Sequence, residues 1–212
     1  MSDHKQEALA GESFCACSAD PSRRALLAAT AGLGAAAGIG AAVPFVASFT
    51  PSDRARAAGA PVEVDLSGLR PGEKLVVEWQ GKPVWILRRT PEMLAGLKTL
   101  DDKLVDPGSS AAEQPAYVSG EARSIAGKEE FFVCVGICTH LGCSPSDKFA
   151  TGADSGMGEG WKGGFLCPCH GSMFDLAGRV FKSMPAPTNL VIPPHTYLSD
   201  TRLLIGQDSK GA

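Results

Sequence analysis

Charge of one sign is nowhere concentrated in this 212-residue chain. Lys and Arg number 20, Asp and Glu 23, and no basic run or stripe stands out. A phosphate backbone would find nothing to neutralise it, which excludes nucleic acid as a partner. Histidine is scarce, at four residues. His4 lies in a polar N-terminal stretch, and His195 follows Pro193-Pro194 and reads as a surface turn residue, so metal chemistry falls to His140 and His170. No internal repeat is visible beyond two short, similar Cys/His segments. What is plentiful is Gly, at 25, and Pro, at 15, spread along the chain. Such a turn-rich chain favours an all-β domain over a helical bundle. Its length suits one domain plus an appendage.

The appendage is N-terminal. Residues 1–22 are polar and unpatterned, a tail. Arg23-Arg24 then precedes an uncharged stretch from Ala25 to Ser52, longer than the ~20 residues that cross a bilayer as a helix. Its many Ala and Gly residues make it mildly apolar, as in a twin-arginine signal. Ala55-Arg56-Ala57 keeps open a cleaved signal peptide, but the stretch exceeds the ~7–15 residues of a signal core, which favours a retained anchor. Arg23 and Arg24 on one flank face Arg54 and Arg56 on the other, so the positive-inside rule sets no orientation. Residues 51–61 are small and lack an apolar face, a tether of at most ~35 Å.

Beyond the tether, strands dominate. Strand patterns cover residues 61–66, 73–79 and 83–87, the last two joined by a hairpin turn at Gln80-Gly81. Thr90-Pro91 opens a short helix to about Lys98, with Thr90 as N-cap. Polar loops are expected at 106–115 and 149–160, and further strands at 131–137, 190–192, 196–198 and 203–205, with 161–166 leading into the second Cys/His segment.

The chemistry concentrates in Cys138-Thr139-His140-Leu141-Gly142-Cys143 and Cys167-Pro168-Cys169-His170-Gly171-Ser172. Cys138 with His140, and Cys167 with His170, offer two thiolates and two imidazoles, a set that suits zinc or an iron–sulfur cluster. A structural zinc knuckle would leave Cys143 and Cys169 unexplained. Cys134, inside an apolar run, reads as a small buried hydrophobe, and Cys15 and Cys17 as thiols of the tail.

These two boxes resemble those of the Rieske iron–sulfur subunits of quinol–cytochrome c reductases. The likeness extends to the twin-arginine leader, the hairpin from Gly72 to Arg89, and Met184-Pro185-Ala186-Pro187. It implies an all-β Rieske fold of antiparallel sheets behind one N-terminal transmembrane helix. The implied division is a cytoplasmic tail 1–22, leader and anchor 23–50, hinge 51–61, base of the β domain 62–130, cluster-binding subdomain 131–188, closing strands 189–206 and tail 207–212.

The resemblance also implies one [2Fe–2S] cluster. Cys138 and Cys167 would hold the inner iron, His140 and His170 the outer one, and Cys143–Cys169 would be a disulfide. Ser172 would donate to a cluster sulfur and raise the potential. His170 would be the catalytic contact to quinol, with Leu141 and Pro185 as the quinone-docking surface. The implied partners are cytochrome b and a membrane-anchored c-type cytochrome, in a dimeric complex of the bacterial inner membrane with the C-terminal domain in the periplasm. One residue departs from the pattern: Phe174 stands where quinol-oxidising members usually carry a Tyr. The alternatives are a Rieske subunit of another periplasmic oxidoreductase such as arsenite oxidase, a Rieske ferredoxin or ring-hydroxylating oxygenase, which usually lacks the extra cysteine pair, and a zinc-stabilised binding module.

Overall fold

The computed structural model describes residues 20–52, 59–111 and 114–208. His4, Cys15, Cys17, the tripeptide at 55–57 and most of the expected hinge lie outside the described residues. The chain divides into two units, 1–52 and 53–212.

In the first unit a single helix, α1, spans Pro21–Ala47. Asp20 caps it, its carboxylate accepting from the Ser22 amide at 3.0 Å and the Ser22 hydroxyl at 2.6 Å, and Pro21 occupies the first helical position. Arg23 and Arg24 therefore sit in its first turn. Its 27 residues rise about 40 Å, longer than a hydrocarbon core of ~30 Å. The Thr30 hydroxyl donates back to the Leu26 and Leu27 carbonyls, so this polar group is satisfied within the apolar helix. By length and composition α1 can cross a membrane.

The second unit is built of short antiparallel strands: β1 (Val62–Asp65), β2 (Lys74–Trp79), β3 (Lys82–Arg88), β4 (Val118–Ser119), β5 (Ser124–Ile125), β6 (Phe131–Val135), β7 (Ser146–Lys148), β8 (Gly164–Leu166), β9 (Met173–Asp175), β10 (His195–Ser199) and β11 (Arg202–Ile205). They pair as β1-β11-β10, β2-β3-β6, β7-β8-β9 and the small β4-β5 ladder. Gln80 (φ 52°) and Gly81 (φ 71°) make the tight β2–β3 turn that the sequence signalled. Helix α2 (Pro91–Leu97) begins as expected, the Thr90 hydroxyl oxygen accepting from the Met93 amide at 3.3 Å.

Strands β3 and β6 position the site because both of their faces are buried. Val84 and Ile86 of β3, with Phe131 and Val133 of β6, join Val64, Leu203 and Ile205 in one core. The alternate residues Trp85, Leu87, Phe132 and Cys134 point the other way, into a second core that contains Cys138 and Cys167. The β2-β3-β6 sheet is thus a shared wall between the two cores. Gly136, just past β6, has no alternative here: a Cβ would meet the Trp85 indole at 2.1 Å. Cys134 is fully buried, which pushes its thiol up to about 12, as expected of an inert core residue.

Two expectations need correction. Residues 190–192 form no strand. Leu190 and Ile192 are buried apolar anchors, and their backbone makes single bonds, Leu190 N–H to Gly178 O at 2.8 Å and Val135 N–H to Val191 O at 2.8 Å. His195 is not a surface turn residue but opens β10, 2% exposed, with Nδ1 2.8 Å from the Pro193 carbonyl. The Tyr117 hydroxyl bridges its main-chain N–H and C=O. Burial lowers the His195 pKa from its ordinary 6.5. The unfolded chain then binds a proton that the folded one refuses, so stability falls as the pH drops below 6.5. Urea midpoints taken between pH 7 and pH 5 should show this loss, and His195→Gln should reduce it.

Candidate metal centre

Both Cys/His segments fold on one backbone template. The Cys138 amide donates to the Cys143 carbonyl at 2.7 Å, and the Cys138 carbonyl accepts from the Gly142 amide at 3.1 Å. The Cys167 amide donates to the Ser172 carbonyl at 2.8 Å, and the Cys167 carbonyl accepts from the Gly171 amide at 3.0 Å. Gly142 (φ 83°) and Gly171 (φ 77°) supply the left-handed residue that closes each loop. Cys138 therefore corresponds to Cys167, Gly142 to Gly171 and Cys143 to Ser172. The histidines are offset by one residue, His140 two after its cysteine and His170 three after.

A disulfide joins Cys143 to Cys169, with Cα atoms 6.6 Å apart. The third side is closed by the segment around Pro185. The Ala186 amide donates to the buried Ser172 hydroxyl oxygen at 3.0 Å, and the Thr139 hydroxyl donates to the Thr188 carbonyl at 2.7 Å. Three loops are thus tied pairwise, by one covalent bond and two hydrogen bonds. Sequence reasoning named Ser172 and Pro185 but missed Thr139, whose polarity beside a ligand was its only signal.

The four candidate ligands come together, sorted by depth. Cys138 and Cys167 are free thiols, each 2% exposed, and sit in one buried core. Burial pushes the Cys138 thiol up; the His140 amide opposes this, and the neighbouring Cys167 sulfur adds to it. A cation must therefore displace a proton here. His140 is half-buried and His170 exposed, their ring centroids 4.8 Å apart at 85°. Leu141, beside them, is 71% exposed, and Pro185 is exposed too.

A tetrahedral zinc needs four donors ~2.0–2.3 Å from one ion, hence within about 4 Å of one another. Among the described residues, the one trio of ligand atoms within 4.8 Å is Cys143, Cys167 and Cys169, and two of these sulfurs are taken up by the disulfide. Two inner sulfurs and two outer nitrogens fit a group with a different metal at each end, as in a cluster with two Cys on one iron and two His on the other.

The loop behind the second box is braced by buried cations. Asp175, ending β9, accepts from the Ala177 and Arg179 amides and from Arg179 Nε, at 2.8–2.9 Å. Arg89 donates to the Leu176 carbonyl, and Arg123 to those of Ala177, Gly178 and Leu190. Burial lowers Arg89 and Arg123 to about 10, both still cations at neutral pH.

Antiparallel sheets that present two buried thiols and two outward imidazoles from disulfide-linked loops define an iron–sulfur electron carrier. Residues 62–194 match the profile of the Rieske [2Fe-2S] domain. The ubiquinol-cytochrome c reductase iron-sulfur subunit of Allochromatium vinosum is 60% identical over 190 residues, covering 90% of each chain. That of Bradyrhizobium diazoefficiens is 41% identical over 193 residues, covering 90% of this chain and 98% of its own. A solved structure titled "Hyperthermophilic respiratory Complex III" is similar at 29% identity and a TM-score of 0.44, over 82% of this chain and 96% of that one. The chain belongs to the Rieske [2Fe–2S] family, among the iron–sulfur subunits of ubiquinol–cytochrome c reductase.

Proposed function

We propose that this protein is the electron-carrying subunit of a quinol–cytochrome c reductase. Cys138 and Cys167 would hold one iron of a [2Fe–2S] cluster, and His140 and His170 the other. The bound cluster supplies one-electron uptake and release. The chain's own part is to position a quinol and move its proton. The exposed His170 imidazole accepts a hydrogen bond from the quinol hydroxyl and takes its proton. Leu141 and Pro185 seat the quinone ring and exclude water. The observation that carries this reading is the outward pair of imidazoles, 4.8 Å apart, beside an apolar side chain that is 71% exposed.

α1 anchors the chain by a single pass in the bacterial inner membrane. The Arg23-Arg24 leader delivers the folded domain to the periplasm, residues 51–61 act as hinge, and 131–188 is the cluster-binding part between base segments 62–130 and 189–206. Cytochrome b and a membrane-anchored c-type cytochrome are its partners, in a dimeric complex. The test is an electron paramagnetic resonance spectrum of reduced native membranes, with and without a quinol-site inhibitor. The reading expects a Rieske signal that moves with inhibitor; an inhibitor-insensitive signal would refute quinol contact.

Phe174 tunes the centre. It is fully buried in the core that contains Cys138 and Cys167, and it brings no hydroxyl. Phe174→Tyr should add one hydrogen bond that favours the reduced, more negative cluster by roughly 1–1.5 kcal/mol, an increase of about 40–60 mV. A redox titration followed by circular dichroism measures it.

A further inference from the structure

The disulfide has a third sulfur beside it. Cys167 Sγ lies within 4.8 Å of both Cys143 Sγ and Cys169 Sγ, and Cys167 is a free thiol. Thiol–disulfide exchange requires only such a neighbour and no outside oxidant. We propose that the unloaded protein isomerises its disulfide through Cys167. The Cys167 thiolate attacks Cys143 Sγ, the Cys167–Cys143 bond forms, and the Cys143–Cys169 bond breaks. Cys169 leaves with the electron pair and takes up the proton that Cys167 gave up. One disulfide and one thiol enter, and one of each remain.

The direction of attack follows from exposure and ring size. Cys169 is exposed, so its thiolate leaves into water, whereas Cys143 is half-buried. Attack on Cys169 would instead bridge residues two apart across Pro168, whose fixed φ resists so small a ring. Cys138 is not one of the three clustered sulfurs, and so it is not the attacking group.

The consequence rests on the reading that Cys167 is a cluster ligand. The isomer has that sulfur tied up and cannot take the cluster, while the loaded protein has it on iron and cannot isomerise. Cluster insertion before the oxidising step that closes Cys143–Cys169 therefore avoids the isomer that cannot load.

The experiment uses the full-length protein, iron-loaded and iron-stripped, held without oxygen. Free thiols are capped with N-ethylmaleimide and the unreduced peptides are sequenced by mass spectrometry. Stripped wild type and stripped Cys138→Ser should both carry label on Cys169 and a Cys143–Cys167 bond, at least about tenfold above stripped Cys167→Ser. Iron-loaded wild type should match the Cys167→Ser background. Stripped wild type at that background after prolonged incubation would overturn the proposal. Loaded protein that isomerises as fast as stripped protein would support the exchange and remove Cys167 from the ligand set.

Discussion

Asp175→Asn should lower the free energy of unfolding by about 3–5 kcal/mol, read from urea denaturation. Asp175 and Arg179 are both fully buried, and the carboxylate accepts from Arg179 Nε at 2.8 Å while also holding two main-chain amides. Arg179 has one further carboxylate, Asp101, whose side chain is 37% exposed. Neutralising Asp175 leaves a guanidinium in the interior beside Arg89 and Arg123, which donate to backbone carbonyls and to neutral Ser124 and Gln114 side chains. Desolvating an uncompensated cation is what makes breaking a buried pair so costly. The turn at 175–179 sits directly behind β9, so the second Cys/His loop should loosen with it. An unchanged urea midpoint would mean that Asp101 and the Leu97 and Pro107 carbonyls, which also accept from Arg179, suffice for its charge.

Cys138→Ser should abolish cluster binding, with iron and acid-labile sulfide falling to background. Ser is a poor iron ligand, and among the described residues no other cysteine is free to replace Cys138. Cys134 is buried in strand β6 with its thiol pushed up to about 12, and Cys143 and Cys169 hold each other. The fold should survive, since Ser is close to Cys in size and Phe132, Phe165, Phe174 and Leu190 carry most of the core that Cys138 joins. Far-ultraviolet circular dichroism should be nearly unchanged while the visible bands vanish. Retention of iron would remove Cys138 from the ligand set.

How much of this was legible in the chain follows from local physics. Strands β2 and β3 were readable because a Gln-Gly turn separates two apolar, β-rich runs, and α2 because Thr90-Pro91 is a local start signal. Strands β4, β5, β7 and β9 were not. They are two or three residues long, several are polar, and only their partners across the sheet make them strands. Residues 190–192 misled because burial of Leu190 and Ile192 gives the same apolar pattern as a strand.

At the centre, the ligand boxes stood out because Cys and His are rare and closely spaced. The resemblance implied the Cys143–Cys169 disulfide, and the structure contains it. The brace of Arg89, Arg123 and Arg179 was hidden. Three scattered arginines look like surface charge until the fold folds them inward, and only Arg179, four residues after Asp175, had a local hint.

The shared loop template with its one-residue histidine offset gives the molecule a front and a back. Were the two halves true copies, either imidazole could greet a visitor, and the disulfide would lie on a dyad. Instead the sulfur bridge takes the place in the second loop that a histidine holds in the first, and pushes His170 one step outward into solvent. The unequal exposure of the two imidazoles thus goes with a single position of the backbone register.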